Sequence, residues 1–264
     1  SHGASFAGPM KIYAGGYEDV GDAAIIVITA GANQKPNETR LDLVQKNAKI
    51  MTDVVTQIKE QEYKGILLIV SNPVDIMTQV AMEVSGFPEH RVFGSGTVLD
   101  SARLRYHLGQ HLGVDSRSVH AFVIGEHGDS EIAAWSSANV SGVPLNSFCE
   151  MRGHFNHEGN TESIEEQVKN SAYEIIAKKD ATYYGIAMVV KRICQAIVRD
   201  EKSIFPISLR MHGEYALEDV VLSMPAIVGA RGIETTIPIS LDEKEVSRLH
   251  ESAEMLRETR KEIR

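Results

Sequence analysis

A chain of 264 residues is long enough for one large domain or two ordinary ones, and 43% hydrophobic with 24% charged residues is usual for a globular protein. A formal net charge of −9 supplies no basic surface for nucleic acid, and no apolar run approaches the ~20 residues of a membrane span. Cys149 and Cys194 form neither a CxxC pair nor a disulfide framework, and the start "SHGASFAGPMKIY" carries no basic leader with an apolar core, so a reducing, cytoplasmic setting is expected.

The first half alternates strand and helix. "DAAIIVITAG" is an apolar run ending in glycine, read as a buried parallel strand that enters the loop "ANQKPNETR". Val44, Ala48, Met51, Val55 and Ile58 then recur at helical spacing. "GILLIVSNP" is a second buried strand, "VDIMTQVAMEVS" a helix, "RVFGSG" a short third strand, and Val98 to Leu112 a further helix. "VHAFVIGEHGD" reads as a fourth strand. This alternation predicts a doubly wound parallel α/β sheet.

The second half has another character. "EIAAWSSANVSGVPL" reads as irregular or antiparallel strand, and helices are expected over Glu162 to Lys179 and Tyr183 to Arg199. "SIFPISLRMHG", "DVVLSMPAIVG" and "GIETTIPISL" read as three antiparallel strands. Asp242 with Glu245 resembles a capping box, and Val246, Leu249, Ala253 and Leu256 give an amphipathic last helix. The basic carboxyl-terminal run has acids interleaved, as on a solvated helix face.

Residues suited to chemistry gather at predicted strand ends, where ligands bind in such sheets. Asp100 and Arg103 lie three apart on a predicted helix and share a face. They are either an ordinary salt bridge, or a guanidinium for a carboxylate and an acid to orient a histidine. His127 leaves the end of a strand and titrates near neutral pH. Asn72 ends another strand, where turn chemistry before proline is the alternative. The loop holding Gln34, Lys35 and Arg40 is either a lid or a plain connector. Ser130 and Ser136 lie near His127 without a G-x-S-x-G elbow, and His154 and His157 lack a carboxylate at metal spacing, so neither a serine nucleophile nor a metal is expected.

In order along the chain, "ITAGANQKPNETRLDLVQKN", "VSNPVDIMT", "GSGTVLDSARLR", "IGEHGDSE" and "ATYYGIAM" resemble the lactate/malate dehydrogenase family, from Ser1 nearly to the end. The resemblance implies an NAD-dependent oxidoreductase that interconverts pyruvate and L-lactate by hydride transfer, as in fermentative glycolysis. It implies His127 as acid/base, Asp100 as its partner, Arg103 as carboxylate clamp, and Arg40 and Asn72 on the carbonyl oxygen. Gln34 and Thr182 would also bind substrate. Gly31, Ala32, Asn47, Val70, Asn72, Ser95 and Ile186 would line the cofactor. Where malate dehydrogenases place an arginine, this chain has Gln34, and a neutral amide cannot pair with a second substrate carboxylate. Pyruvate is therefore expected over oxaloacetate.

Arg105 and His120 match positions that, in bacterial members activated by fructose 1,6-bisphosphate, form a phosphate site between subunits. An allosteric site and a homotetramer are implied. The family's G-x-G-x-x-G segment has no counterpart here, so an amino-terminally truncated Rossmann-type sheet is expected, with residues 1–117 as its remainder and residues 118–264 as an α+β substrate domain. The alternatives are a catalytically silent fragment that only self-associates, and a dehydrogenase of the same family for another 2-hydroxy acid.

Overall fold

The computed structural model describes residues 10–32, 39–179 and 182–263, and within these leaves out the side chains of Arg40 and of residues 172–174, 176, 177 and 179. The strands are β1 (Ile25–Ile28), β2 (Ile66–Ile69), β3 (Val92–Gly94), β4 (Val119–His120), β5 (Val123–Ile124), β6 (Ile132–Ala133), β7 (Asn139–Val140), β8 (Val143–Pro144), β9 (Ser203–His212), β10 (Glu218–Gly229) and β11 (Gly232–Thr236). The helices are α1 (Arg40–Glu60), α2 (Val74–Ser85), α3 (Val98–Leu112), α4 (Leu145–Met151), α5 (His157–Lys179), α6 (Tyr184–Val198) and α7 (Glu243–Lys261).

Local chemistry explains the sharpest boundaries. At α1 the Thr39 hydroxyl accepts the Asp42 N–H at 3.1 Å, while Asp42 takes the Thr39 N–H at 3.0 Å. The expected box at α7 also forms: Asp242 accepts from the Glu245 N–H at 2.8 Å, and Glu245 from the Asp242 N–H at 2.9 Å. Helix α2 starts behind Pro73 and ends at left-handed Gly86, and α3 ends at left-handed Gly113. On α1, Val44, Ala48, Met51, Val55 and Ile58 are all buried, as their spacing requires.

β1, β2 and β3 pair in parallel. The three strands expected to be antiparallel are so, with β9 joined to β10 and β10 to β11. They also continue the same sheet, in the order β1-β2-β3-β9-β10-β11, through an antiparallel contact of Gly94 with Ser208. The fourth strand expected from "VHAFVIGEHGD" does not enter that sheet as a member of the parallel set. β9 occupies the place beside β3. The segment breaks into β4, which pairs β7, and β5, which pairs β6. Side chains at the start of α3 take up its backbone instead: the Val123 N–H donates to Ser101 Oγ at 2.8 Å, and the Val123 carbonyl accepts the hydroxyl of Thr97, the residue before the helix.

One buried cluster runs from α1 and β1–β3 through α2 to β9, β10, α6 and α7. Phe93 and Leu67, both 0% exposed, sit within it; burial of such a side chain contributes about 1.5–3 kcal/mol. A second cluster gathers Leu104, Leu108 and Leu112 of α3 with β4, β5, β7, α4 and α5. α3 therefore touches both cores, with Val98 in the first.

The turn from β3 into α3 depends on Gly96. Its φ is +52°, and an added Cβ would stand 2.6 Å from the Ser208 nitrogen and 2.7 Å from the Pro206 oxygen, both backbone atoms of β9. A Gly96→Ala variant is expected to lose about 3 kcal/mol from strain and displacement together. Urea denaturation measures this, and an unchanged midpoint contradicts it.

Candidate active site

The carboxyl ends of β1, β2 and β3 form a ledge. After β1 come Gly31 and Ala32, after β2 Ser71 and Asn72, and after β3 Ser95. Asn47 of α1, 4% exposed, ties the first two together: its Oδ1 accepts the Ala32 N–H at 2.7 Å, and its Nδ2 donates to the Asn72 carbonyl at 3.0 Å. Ser95 is buried, with its N–H on the Ile69 carbonyl at 2.8 Å, and Val70 is half-buried. Gly31 is exposed, and nothing lies nearer than 3.6 Å to the place a Cβ would take. A strand-end ledge of this kind is where ligands bind in such sheets.

Beside it lies a cleft of about 190 Å³ lined by Asp100, Arg103, His127, Gly128, Asp129, Glu131, Val168 and Lys169. Asp100, in the first turn of α3, is 3% exposed. One carboxylate oxygen accepts Arg103 Nη1 at 2.9 Å and the other faces His127 Nδ1 at 2.7 Å. The salt bridge expected from the three-residue spacing is present, and the same carboxylate also meets the histidine.

His127 reaches this position through a backbone device. Gly125, at φ +84°, bonds Ser223 of β10 in both directions, at 2.9 and 2.8 Å. The His127 N–H then donates to Asp75 Oδ2 at 2.7 Å. Asp75, in the first turn of α2 and 1% exposed, also accepts the Ser208 hydroxyl at 2.6 Å. It therefore links α2, β9 and the histidine loop. Glu126 next to the histidine accepts the Ser130 hydroxyl at 2.5 Å, and the Ser136 N–H donates to Glu245 at 3.0 Å. The Ser130 hydroxyl is thus spent on Glu126, while Ser136 is held through its backbone.

Charge sets the protonation of this group. Burial works against the His127 imidazolium, but the Asp100 carboxylate outweighs it, with Asp75 and Glu131 adding to the effect, and the pKa rises to about 9. Burial likewise works against ionised Asp100, yet His127 and Arg103 hold its pKa below the usual value. Burial lifts Asp75 to about 6 despite its hydrogen bonds to Ser208 and His127. The result is an imidazolium proton held at neutral pH beside a fixed guanidinium. That is the equipment to grip a carboxylate and to exchange a proton with the oxygen next to it.

The remaining expected residues fall as follows. Asn72 is exposed at the end of β2, before a cis bond to Pro73. Thr182 is half-buried ahead of α6, and Ile186, in the first turn of α6, packs on the larger core. Arg105 of α3 is partly buried, with Nε on the Ser101 carbonyl at 3.2 Å, and His120 is exposed on β4. Gln34 and Lys35, and the side chain of Arg40, lie outside the described residues. His154 stacks on His111, with ring centroids 4.2 Å apart, and His157 meets Glu150 at 3.3 Å. Sequence reasoning missed Asp75 and Glu131. An acid after proline in a first helical turn reads as an ordinary dipole partner, and only its burial against β9 reveals more.

Three parallel strands within a mixed sheet, ending beside an arginine–aspartate–histidine relay, point to the class of nicotinamide-dependent dehydrogenases. Models of the lactate/malate dehydrogenase family match residues 1–94 as its NAD binding domain and residues 97–264 as its alpha/beta C-terminal domain. The chain belongs to that family. It is 48% identical over 258 residues to an L-lactate dehydrogenase of Acetivibrio thermocellus, covering 98% of this chain and 81% of that protein. It is 49% identical over 256 residues to one of Streptococcus pneumoniae, covering 97% and 78%. Among solved structures, a lactate dehydrogenase from a Medee basin deep-sea metagenome library superposes with a TM-score of 0.95 at 45% identity, over 99% of this chain and 83% of that one. A minor L-lactate dehydrogenase from Enterococcus mundtii, in its ligands-bound form, also gives 0.95, at 40% identity over 100% and 84%.

Proposed function

We propose that the chain is an NAD-dependent L-lactate dehydrogenase, interconverting pyruvate and L-lactate at the end of fermentative glycolysis. The observation that carries this reading is the relay Arg103–Asp100–His127, with contacts of 2.9 and 2.7 Å, at the carboxyl edge of the parallel strands. Relatives called L-lactate dehydrogenase over nearly the whole chain support it.

In this reading Arg103 grips the substrate carboxylate. His127, protonated at neutral pH, gives its proton to the 2-oxo oxygen as the carbonyl is reduced, and in the reverse direction its neutral form takes the proton from the hydroxyl. Asp100 keeps the imidazole oriented and favours its charged form. Asn72 and Arg40 polarise the carbonyl, and Thr182 lines the pocket. Gly31, Ala32, Asn47, Val70, Asn72, Ser95 and Ile186 would hold NAD, with Ser95 and Ile186 on its nicotinamide side, and the bound cofactor would supply the hydride exchange. Gln34, uncharged, selects pyruvate over oxaloacetate. Residues 1–117 form the cofactor half and residues 118–264 the substrate half.

The same proposal includes a homotetramer working in the cytoplasm, with Arg105 and His120 contributing to a fructose 1,6-bisphosphate site. Among the described residues no helix is long and apolar enough to cross a membrane. The decisive experiment is NADH oxidation by the purified chain with pyruvate or oxaloacetate, with and without the bisphosphate. Turnover with pyruvate, and far less with oxaloacetate, is expected. Stimulation by the bisphosphate should disappear in Arg105→Gln. A folded protein that turns over oxaloacetate better, or neither acid, contradicts the reading.

A further inference from the structure

Glu131 lines the substrate cleft, and the chemistry above uses it only as a lesser charge acting on His127. The residue is 5% exposed and stands just before β6. Asp100, His127 and Glu131 each bring an oxygen or ring nitrogen within 4.8 Å of the others. Among the described residues the Glu131 carboxyl has no hydrogen-bonded partner, whereas Asp100 has two.

Charged groups face it from several elements. α3 supplies Asp100 and Arg103, the histidine loop supplies His127 and Asp129, and α5 supplies Lys169. Lys169 is shared with Glu165, 3.4 Å away. From α7, Arg248 reaches the Glu131 backbone carbonyl at 3.3 Å and pairs with Glu165. Asp75, behind the loop, is bound to the His127 backbone.

Two carboxylates side by side in a buried site do not both ionise cheaply. Asp100, fixed by a guanidinium and an imidazolium, keeps the negative charge. Glu131 keeps the proton: burial first, then the Asp100 charge, push its pKa up to about 8, against His127, Lys169 and Arg103. At neutral pH the cleft therefore presents Arg103 with one acid already satisfied and a second acid uncharged.

We propose that Glu131 governs admission of the anionic substrate: as a neutral acid it leaves Arg103 available to the carboxylate of a 2-oxo acid, and as a carboxylate it occupies the field of Arg103 and repels that substrate. The group acts on binding, by holding or releasing a proton to water, and needs no part in the hydride step. The proposal rests on the reading of this cleft as a 2-oxo-acid site.

Two measurements test it. The first is infrared spectroscopy of the purified chain without substrate. A protonated-carboxyl band present at pH 7 should fade as the pH rises through about 8 and be missing in Glu131→Gln. Its absence from the wild type overturns the proposal. The second is KM for pyruvate against pH. If the ionised form does not bind, KM rises about tenfold for each pH unit above the pKa, so roughly tenfold between pH 7 and 9 in the wild type. In Glu131→Gln the rise should begin at higher pH, where His127 titrates, and kcat should not track it.

An alkaline rise identical in both proteins overturns the proposal. So does a rise that starts earlier in the variant, because that is what losing a charge that merely supports the imidazolium would give. Failure of the functional reading looks different: no pyruvate turnover at any pH while the infrared band still titrates. That outcome removes the substrate role along with the functional reading and leaves the buried acid standing.

Discussion

Replacing Asp100 by asparagine is expected to lower kcat for pyruvate reduction by roughly 10²- to 10⁴-fold, the range a positioned acid/base contributes. The reason lies in the two contacts of one carboxylate. Its oxygen facing Nδ1 fixes the imidazole, and its charge is the main force raising His127 to about 9. An amide keeps the size but removes the charge, and can turn its NH₂ toward the ring. Reduction requires protonated His127, so in the wild type the rate holds through neutral pH and falls as pH rises through about 9. In Asp100→Asn the fall should begin at lower pH, because burial then acts on the imidazolium without that opposing charge. Oxidation of lactate requires neutral His127 and should show the reverse slope. Steady-state rates in both directions from pH 6 to 10 measure this, and an unshifted profile argues against Asp100 as the controlling charge.

The second large effect concerns Arg103. An Arg103→Gln variant is expected to raise KM for pyruvate by about 10²- to 10³-fold, the scale set by truncating one partner of a buried charge pair. The guanidinium is 15% exposed and anchored by Asp100. Its remaining donors can pair with a carboxylate in a plane, which a single ammonium cannot reproduce, so Arg103→Lys should recover only part of the loss. Losing Arg103 also takes a cation from Asp100, so kcat should fall less than the affinity but not stay constant. Initial-rate kinetics at neutral pH separate the two. A change confined to kcat places the carboxylate elsewhere.

Local signals made much of this protein legible. α2 and α3 match their expected bounds because proline and glycine punctuate them, and the Asp242–Glu245 box marks the start of α7. Asp100, Arg103 and His127 stand at strand or helix ends, where the chemistry of a parallel sheet collects. What stayed hidden is set by distant competition. "VHAFVI" has the composition of a core strand, but β9, which begins only at Ser203, takes the position beside β3. Asp75 meets Ser208 across 133 residues of sequence, and no spacing rule reaches that far. Glu131 was obscured differently, since its role depends on Asp100 having already taken the available cations.

The seam where Gly94 meets Ser208 also governs how the molecule comes apart. The parallel half β1–β3 and the antiparallel half β9–β11 share one sheet, and one continuous core lies against both. Neither half can lose its strands without stripping the other of partners, so the two have no independent melting points. The histidine loop is fastened at that junction, through Asp75 to Ser208 of β9 and through Gly125 to Ser223 of β10. Amides around His127 should thus be protected from hydrogen exchange to nearly the free energy of global unfolding, unlike the loops in which binding groups are more often found.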